Sequence, residues 1–319
     1  MTAKLSRPDY GGNLGHAFFY AVLKLFGLRP AYFCLAFVAT YYALCRPSVR
    51  RSARPYLDHR FPGQSPLRRL WATIRYLYSF GQVLIDQAAV GILGPERFEM
   101  DFPDEEKLKV RAQEGRGLLL LGSHIGPWQA AMTSFGRIPI PVHVLFRLYD
   151  HERGRHFFEL AEKRPDFHIL FPEDFLGGLV ELTNALSSGE CVVLMGDRTF
   201  GARGQRAPFL GGEATFPIAP YRLVCVTGAD LVMVLTTRTG PYRYRIEQFC
   251  LTDDPPEDVP DLPRTPSGKP DWRALGRQRA QDILLRRYGA QLERHVAAHP
   301  FQWFNFFDFW GEETDTGKD

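Results

Sequence analysis

Apolar positions crowd together near the start of the chain, recur at helical spacing in the next stretch, and condense into short solid runs further on. Residues 17–23 are apolar, Lys24 follows, and residues 31–45 carry no charge. That uncharged run is shorter than the roughly 20 residues of a spanning helix. Lys24, Arg29 and Pro30 interrupt any longer one. The expectation is a helical hairpin that lies in or dips into a bilayer, with a buried pair of core helices as the alternative. The first sixteen residues are polar and glycine-containing, unlike a cleavable signal peptide.

Over 65–91, Leu70, Ile74, Leu77, Tyr78, Val83 and Leu84 recur at helical spacing and predict an amphipathic helix. The pattern then changes. Residues 117–121 form a fully apolar run, read as a buried strand, and 122–127 break it with two glycines and Pro127. A helix is expected to start at Trp128, since proline suits a first helical position. Further strands are expected over 142–146, 168–171, 191–195, 231–237 and 244–249. Helices are expected over 153–163, 174–186 and 219–226, and a late one over 272–299. Residues 253–271, rich in Pro and Asp, predict a surface loop. Alternating strands and helices predict an α/β fold with a mixed central sheet flanked by helices. The expected organisation is an N-terminal helical, membrane-associating part over 1–94, an α/β domain over 95–310 and a disordered polar tail over 311–319.

Charge changes this picture in one place. The net charge is only +3, yet eight arginines lie between Arg46 and Arg75, with Asp58 as the sole acid. Directly after an apolar segment, such a run fits attraction to anionic headgroups or to an acidic carrier protein, or is simply a solvated face. Nucleic acid is excluded as a partner, because the arginines lack interleaved stacking aromatics. The five cysteines (Cys34, Cys45, Cys191, Cys225, Cys250) are scattered, without a CxxC pair or a histidine at ligand spacing. They read as reduced thiols of a cytosol-facing protein, with neither a disulfide frame nor a zinc site indicated.

The stretch that carries chemistry begins at Gly117. A histidine in a Gly-rich turn after a buried strand projects at the carboxyl edge of a sheet, where α/β folds place ligand sites. His124 has that position. The helix expected next offers N–H groups able to hold an oxyanion. A purely structural hydrogen bond for His124 is the alternative.

Gly122-Ser-His-Ile-Gly-Pro-Trp-Gln129 resembles the His-x4-Asp/Glu block of the lysophospholipid acyltransferase superfamily, and within it the bacterial lipid A late acyltransferase family. The resemblance implies that His124 deprotonates an acceptor hydroxyl and that the residue at 129 orients it. Here that residue is Gln129, which accepts the same hydrogen bond but brings no charge. Three consequences stay open: a slower enzyme, a carboxylate supplied from elsewhere, or a lipid-binding protein without turnover. Arg147, in Val144-Leu-Phe-Arg-Leu-Tyr-Asp150, takes the place of a cleft arginine that can hold phosphate. Residues 185–201 resemble the family's helix, Gly turn, strand and Asp block. Asp197 there supplies the missing carboxylate, shapes the acceptor pocket beside Arg198, or only caps a turn or pairs with Arg198 or Arg203. Residues 208–217 resemble a cleft-wall block in which Phe209 and Gly211 would meet substrate. Pro300-Phe-Gln-Trp303 resembles a C-terminal Pro-x-Gln-Trp segment, without the basic pair that usually follows it.

The resemblance covers nearly the whole chain. It implies acyl transfer from an acyl carrier protein or acyl-CoA thioester to a lipid hydroxyl, at the cytoplasmic face of the bacterial inner membrane. Neither a metal nor a cofactor is expected. Ser123 beside His124 is not expected to act as a nucleophile, since no Gly-x-Ser-x-Gly elbow is present.

Overall fold

Leu118, Leu119, Leu120 and Leu121 are all buried, and this explains why no polar residue alternates with them. A strand covered on both faces needs apolar side chains at every position. Leu119 and Leu121 enter one core, Leu118 and Leu120 the other. The neighbouring strand does the same with Val192 and Leu194 against Cys191 and Val193. Each fully buried leucine contributes about 1.5–3 kcal/mol.

The computed structural model describes residues 12–128, 137–145, 167–171, 178–199, 203–253 and 259–311. Four helices come first: α1 (Gly12–Phe26), α2 (Leu28–Cys45), α3 (Pro47–Arg60) and α4 (Pro66–Leu93). The body follows as β1 (Glu99–Asp101), α5 (Glu105–Ala112), β2 (Leu118–Gly122), β3 (Val142–Leu145), β4 (Phe167–Leu170), α6 (Leu179–Ser187) and β5 (Cys191–Met195). It continues with β6 (Gly204–Phe209), β7 (Gly212–Pro217), α7 (Ala219–Thr227), β8 (Asp230–Gly240), β9 (Arg243–Cys250) and α8 (Arg277–Ala298). Seven strands form the central sheet in the order β1-β9-β8-β2-β5-β3-β4. β9 runs antiparallel to β8, whereas the pairs from β8 to β4 are parallel, so the sheet is mixed as expected. From β2 the chain next enters the sheet on one side, at β3; from β5 it next enters on the other, at β8. β2 and β5 therefore flank a switch point, where α/β sheets open a crevice at their carboxyl ends.

Several expectations need correction. The late helix starts at Arg277, not at 272, because the Asp271 carboxylate accepts from the N–H groups of Arg273 and Ala274 and closes a turn first. Within that turn Trp272 is buried and donates to Thr252 O at 3.0 Å. The 208–217 block is mostly a β-hairpin of its own, β6 paired with β7. Its two-residue turn puts both Leu210 (φ 48°) and Gly211 (φ 74°) in left-handed backbone, the geometry that matches strand twist. The helices expected over 153–163 and from Trp128 lie wholly or almost wholly outside the described residues, as does the tail expected over 311–319 apart from Gly311.

Helices α1, α2 and the later part of α4 share one apolar cluster, whereas Ala53, Tyr56 and Leu57 of α3 pack into the core of the body. The buried residues of α2 (Leu28, Ala31, Tyr32, Leu35, Ala39, Ala43) make a single stripe, and Leu35 packs on Gly81 of α4. By length and composition α2 is able to cross a membrane. Its other face leaves Phe33, Phe37, Tyr41 and Leu44 exposed, and α1 adds Phe18, Leu25 and Phe26. A polar tie joins this unit to the sheet: buried Asp86 of α4 accepts from Arg238 Nε of β8 at 3.2 Å and from the Tyr32 hydroxyl. Part of the arginine run is structural. Arg50 donates to the Ala43 and Leu44 carbonyls at the end of α2, and Arg60 to the Ala297 carbonyl at the end of α8. Cations there complement the helix dipole. Arg51, Arg54 and Arg68 remain exposed.

Candidate active site

β2 and β5 are hydrogen-bonded in register, with Gly122 opposite Met195. Gly196 N continues the ladder to Gly122 O at 2.9 Å. Two residues past each paired end stand His124 and Asp197. The Asp197 carboxylate accepts twice from that one residue: its Oδ2 from the His124 backbone N–H at 2.8 Å, and its Oδ1 from ring Nδ1 at 2.8 Å. Trp303 Nε1 donates a third bond to Oδ2 at 2.9 Å. Asp197 is 1% exposed. Burial would raise its pKa, but the His124 charge and hydrogen bonds, together with Arg198, outweigh burial and hold it at about 2. An ionised carboxylate on Nδ1 keeps the proton there, which leaves Nε2 as the nitrogen with a lone pair. The His124 side chain is 14% exposed and meets the Trp128 ring edge-on at 5.5 Å.

The turn that carries His124 is held by the C-terminal strap after α8. Phe304 N donates to His124 O at 2.9 Å, and Gly126 N to Gln302 O at 2.7 Å. Gln302 in turn clamps the Arg238 backbone, donating from Nε2 to its carbonyl and accepting from its N–H at Oε1. Gly126 is required at this close approach. Its φ is +51°, and a Cβ there would lie 2.2 Å from Thr236 O.

Arg198 follows Asp197 and donates to Phe304 O at 2.8 Å, with its guanidinium over Phe307. Phe209 is fully buried, its ring 5.2 Å from that of Trp303. It presents no surface to an acyl chain and instead packs behind the residue that holds Asp197. Gly211 lies in the exposed hairpin turn. Gln129 and Arg147 lie outside the described residues. Ser123 is buried with its hydroxyl 2.6 Å from that of Tyr288, which itself donates to Gly122 O. Both hydroxyls are engaged in the scaffold. The partner that sequence reasoning missed is Trp303: Pro-x-Gln-Trp was visible as a block, but not that its indole reaches 106 residues back to Asp197.

A cavity of about 290 Å³, lined in part by Gly115, Arg116, Thr227 and Trp272, lies at the amino end of β2. It contains none of the candidate residues and is at the opposite end of the strand from His124.

The fold and the site define an α/β protein with an imidazole–carboxylate pair at the carboxyl edge of its sheet, an arrangement suited to general-base chemistry. Residues 2–311 match the family model described as bacterial lipid A biosynthesis acyltransferase. The chain belongs to that family, and the resemblance carried by its motif blocks is thereby family membership. The family is one of lipid-biosynthesis acyltransferases, and membership implies an acyl donor and a lipid acceptor. No curated protein matches the chain significantly.

Proposed function

We propose that the protein moves a fatty acyl group from an acyl carrier protein or coenzyme A thioester to a hydroxyl of a lipid or glycolipid, with His124 as general base. The observation that carries this reading is the buried Asp197 carboxylate 2.8 Å from His124 Nδ1. His124 Nε2 takes the hydroxyl proton while the oxygen attacks the thioester carbonyl. The tetrahedral adduct collapses with loss of the C–S bond, and the imidazolium returns the proton to the departing thiolate. An ester and a thiol result. General-base help of this kind is typically worth about 10²–10⁴-fold in rate. Asp197 supplies the charge that Gln129 lacks, so the glutamine departs from the family pattern without depriving the imidazole of a carboxylate.

The reaction is assigned to the cytoplasmic face of the inner membrane. Residues 1–94 associate with the bilayer through the exposed aromatic face of α1 and α2. The exposed arginines Arg51, Arg54 and Arg68 meet anionic headgroups or an acidic carrier. Residues 95–310 form the acyltransferase domain, in which Arg147 and Arg198 contribute to substrate binding.

The test is to give purified protein an acyl carrier thioester and a lipid acceptor, then follow thiol release together with the mass of the acceptor. The expected result is coupled thiol release and acceptor acylation, both abolished in His124→Ala. Unchanged turnover in that variant removes the mechanism. Free fatty acid without acylated acceptor makes the protein a hydrolase, and co-purified lipid without thiol release makes it a non-catalytic lipid binder.

A further inference from the structure

A second cluster of polar side chains lies at the far end of α8, apart from the His124–Asp197 pair. His295 is on the last turn of that helix, His299 is its C-terminal cap, and Glu247 comes from β9. One ligand atom from each lies within 4.8 Å of the other two. His295 is 5% exposed, so its ring nitrogens depend on protein partners. Its Nε2 is 2.9 Å from Thr237 Oγ1, while its Nδ1 faces Glu247 Oε2 at 3.7 Å, too long for a hydrogen bond. The rings of His295 and His299 are 4.9 Å apart. Two imidazoles and a carboxylate thus surround one point without satisfying one another across it.

We propose that Glu247, His295 and His299 bind one divalent transition-metal ion of the zinc class. The donor set suits it: nitrogen and carboxylate ligands, two of them histidines four residues apart, one on the last turn of α8 and one at its C-terminal cap, with a fourth position left to water. Thr237 supplies the outer contact that such a site needs. In the tautomer where Nε2–H donates to the Thr237 hydroxyl, Nδ1 keeps its lone pair toward Glu247 and can bind the ion. Metal–ligand bonds of about 2.0–2.2 Å require the three atoms to close by roughly 1 Å. His299, partly exposed at the helix end, supplies the freedom for this.

The ion would tie α8 to β9 at the point where the C-terminal strap begins. Three and four residues beyond His299, Gln302 clamps Arg238 and Trp303 holds Asp197. The role is therefore structural, anchoring the strap without entering the reaction. The site does not depend on which acyl group or acceptor the enzyme uses.

The test is to strip full-length protein with EDTA, dialyse it, and titrate it with ZnCl₂ by calorimetry, with thermal melts in parallel. Co²⁺ serves as the spectroscopic probe, since a four-coordinate nitrogen–oxygen site gives intense visible bands. Expected are one equivalent of tightly bound Zn²⁺, a higher melting temperature in its presence, and four-coordinate Co²⁺ bands. Glu247→Gln, which keeps the side-chain shape, and His299→Ala should each weaken binding by about tenfold or more. His143→Ala, at the separate His143–Glu190 contact, should leave it intact. Absence of a tight site, binding unchanged in both ligand variants, or loss of binding in His143→Ala would each overturn the proposal. Calorimetry and melting do not read acyl transfer, so this result stands or falls separately from the proposed reaction.

Discussion

His124 and Asp197 sit at equivalent places beyond two neighbouring parallel strands, each two residues past a paired end, so the sheet register sets them side by side and the C-terminal strap holds them there. The carboxylate receives both the backbone and the ring N–H of that histidine, so one acid fixes the position, the orientation and the tautomer of the imidazole.

Asp197→Asn should abolish most of the activity while leaving the fold intact. The amide oxygen would take the place of Oδ2, which receives the His124 and Trp303 N–H groups, and the amide nitrogen would then face Nδ1. That reverses the tautomer and puts the proton on Nε2, the atom that must accept one. A rate loss on the order of 10³–10⁴-fold is expected from thiol-release kinetics, by analogy with other oriented histidine bases. A loss of less than tenfold would mean that the charge and tautomer of this pair do not matter.

The same carboxylate makes stability depend on pH. Its pKa is lowered from 3.8 to about 2 on folding. The contribution is therefore fully present above pH 3.8 and is lost as pH falls through 2, and it amounts to about 2 kcal/mol. Urea unfolding between pH 2 and pH 6 should show the gap between the parent protein and Asp197→Asn narrowing toward the acid end. A constant gap would place the low pKa elsewhere.

Trp303→Phe removes the indole N–H from Asp197 Oδ2 and keeps an aromatic ring in contact with Phe209. Stability should fall by about 1–3 kcal/mol for the lost charged hydrogen bond, with a further cost from the smaller ring. Acyl transfer should fall along with it, in kcat more than in KM. Denaturant titration and steady-state kinetics check the two effects.

Phe33, Phe37 and Tyr41 lie four residues apart on the exposed face of α2. Replacing all three with serine should reduce co-sedimentation with vesicles containing anionic phospholipid, by tenfold or more at about 1.5–3 kcal/mol per buried ring. The melting temperature should change little, because the opposite face of α2 makes the packing. Undiminished vesicle binding would exclude this face as the membrane contact.

The strands that were readable in the sequence are those buried on both faces. Residues 191–195 stand out because glycines or polar residues bound a solid apolar run, and β5 has these same limits. β1 has no such signal: Glu99, Met100 and Asp101 become a strand only through pairing with β9. α3 was hidden because its residues looked like a charge run, and burial of only Ala53, Tyr56 and Leu57 marks its inner face. Within the site, His124 and Asp197 were legible as residues at strand ends. Their contact was legible only as one of several readings of Asp197, since it depends on β5 lying beside β2, ahead of β3 in the sheet. Trp303 and the Glu247–His295–His299 cluster were illegible for a similar reason, as each joins segments that only the folded sheet and α8 bring together.

The most direct test of the central claim is the tautomer of His124, read from long-range ¹H–¹⁵N spectra of histidine-labelled protein, with His124→Ala used to assign the signal. The expected result is a neutral ring protonated at Nδ1, and a shift to the Nε2–H form in Asp197→Asn. A parent ring already protonated at Nε2 would contradict the assignment of His124 as the base.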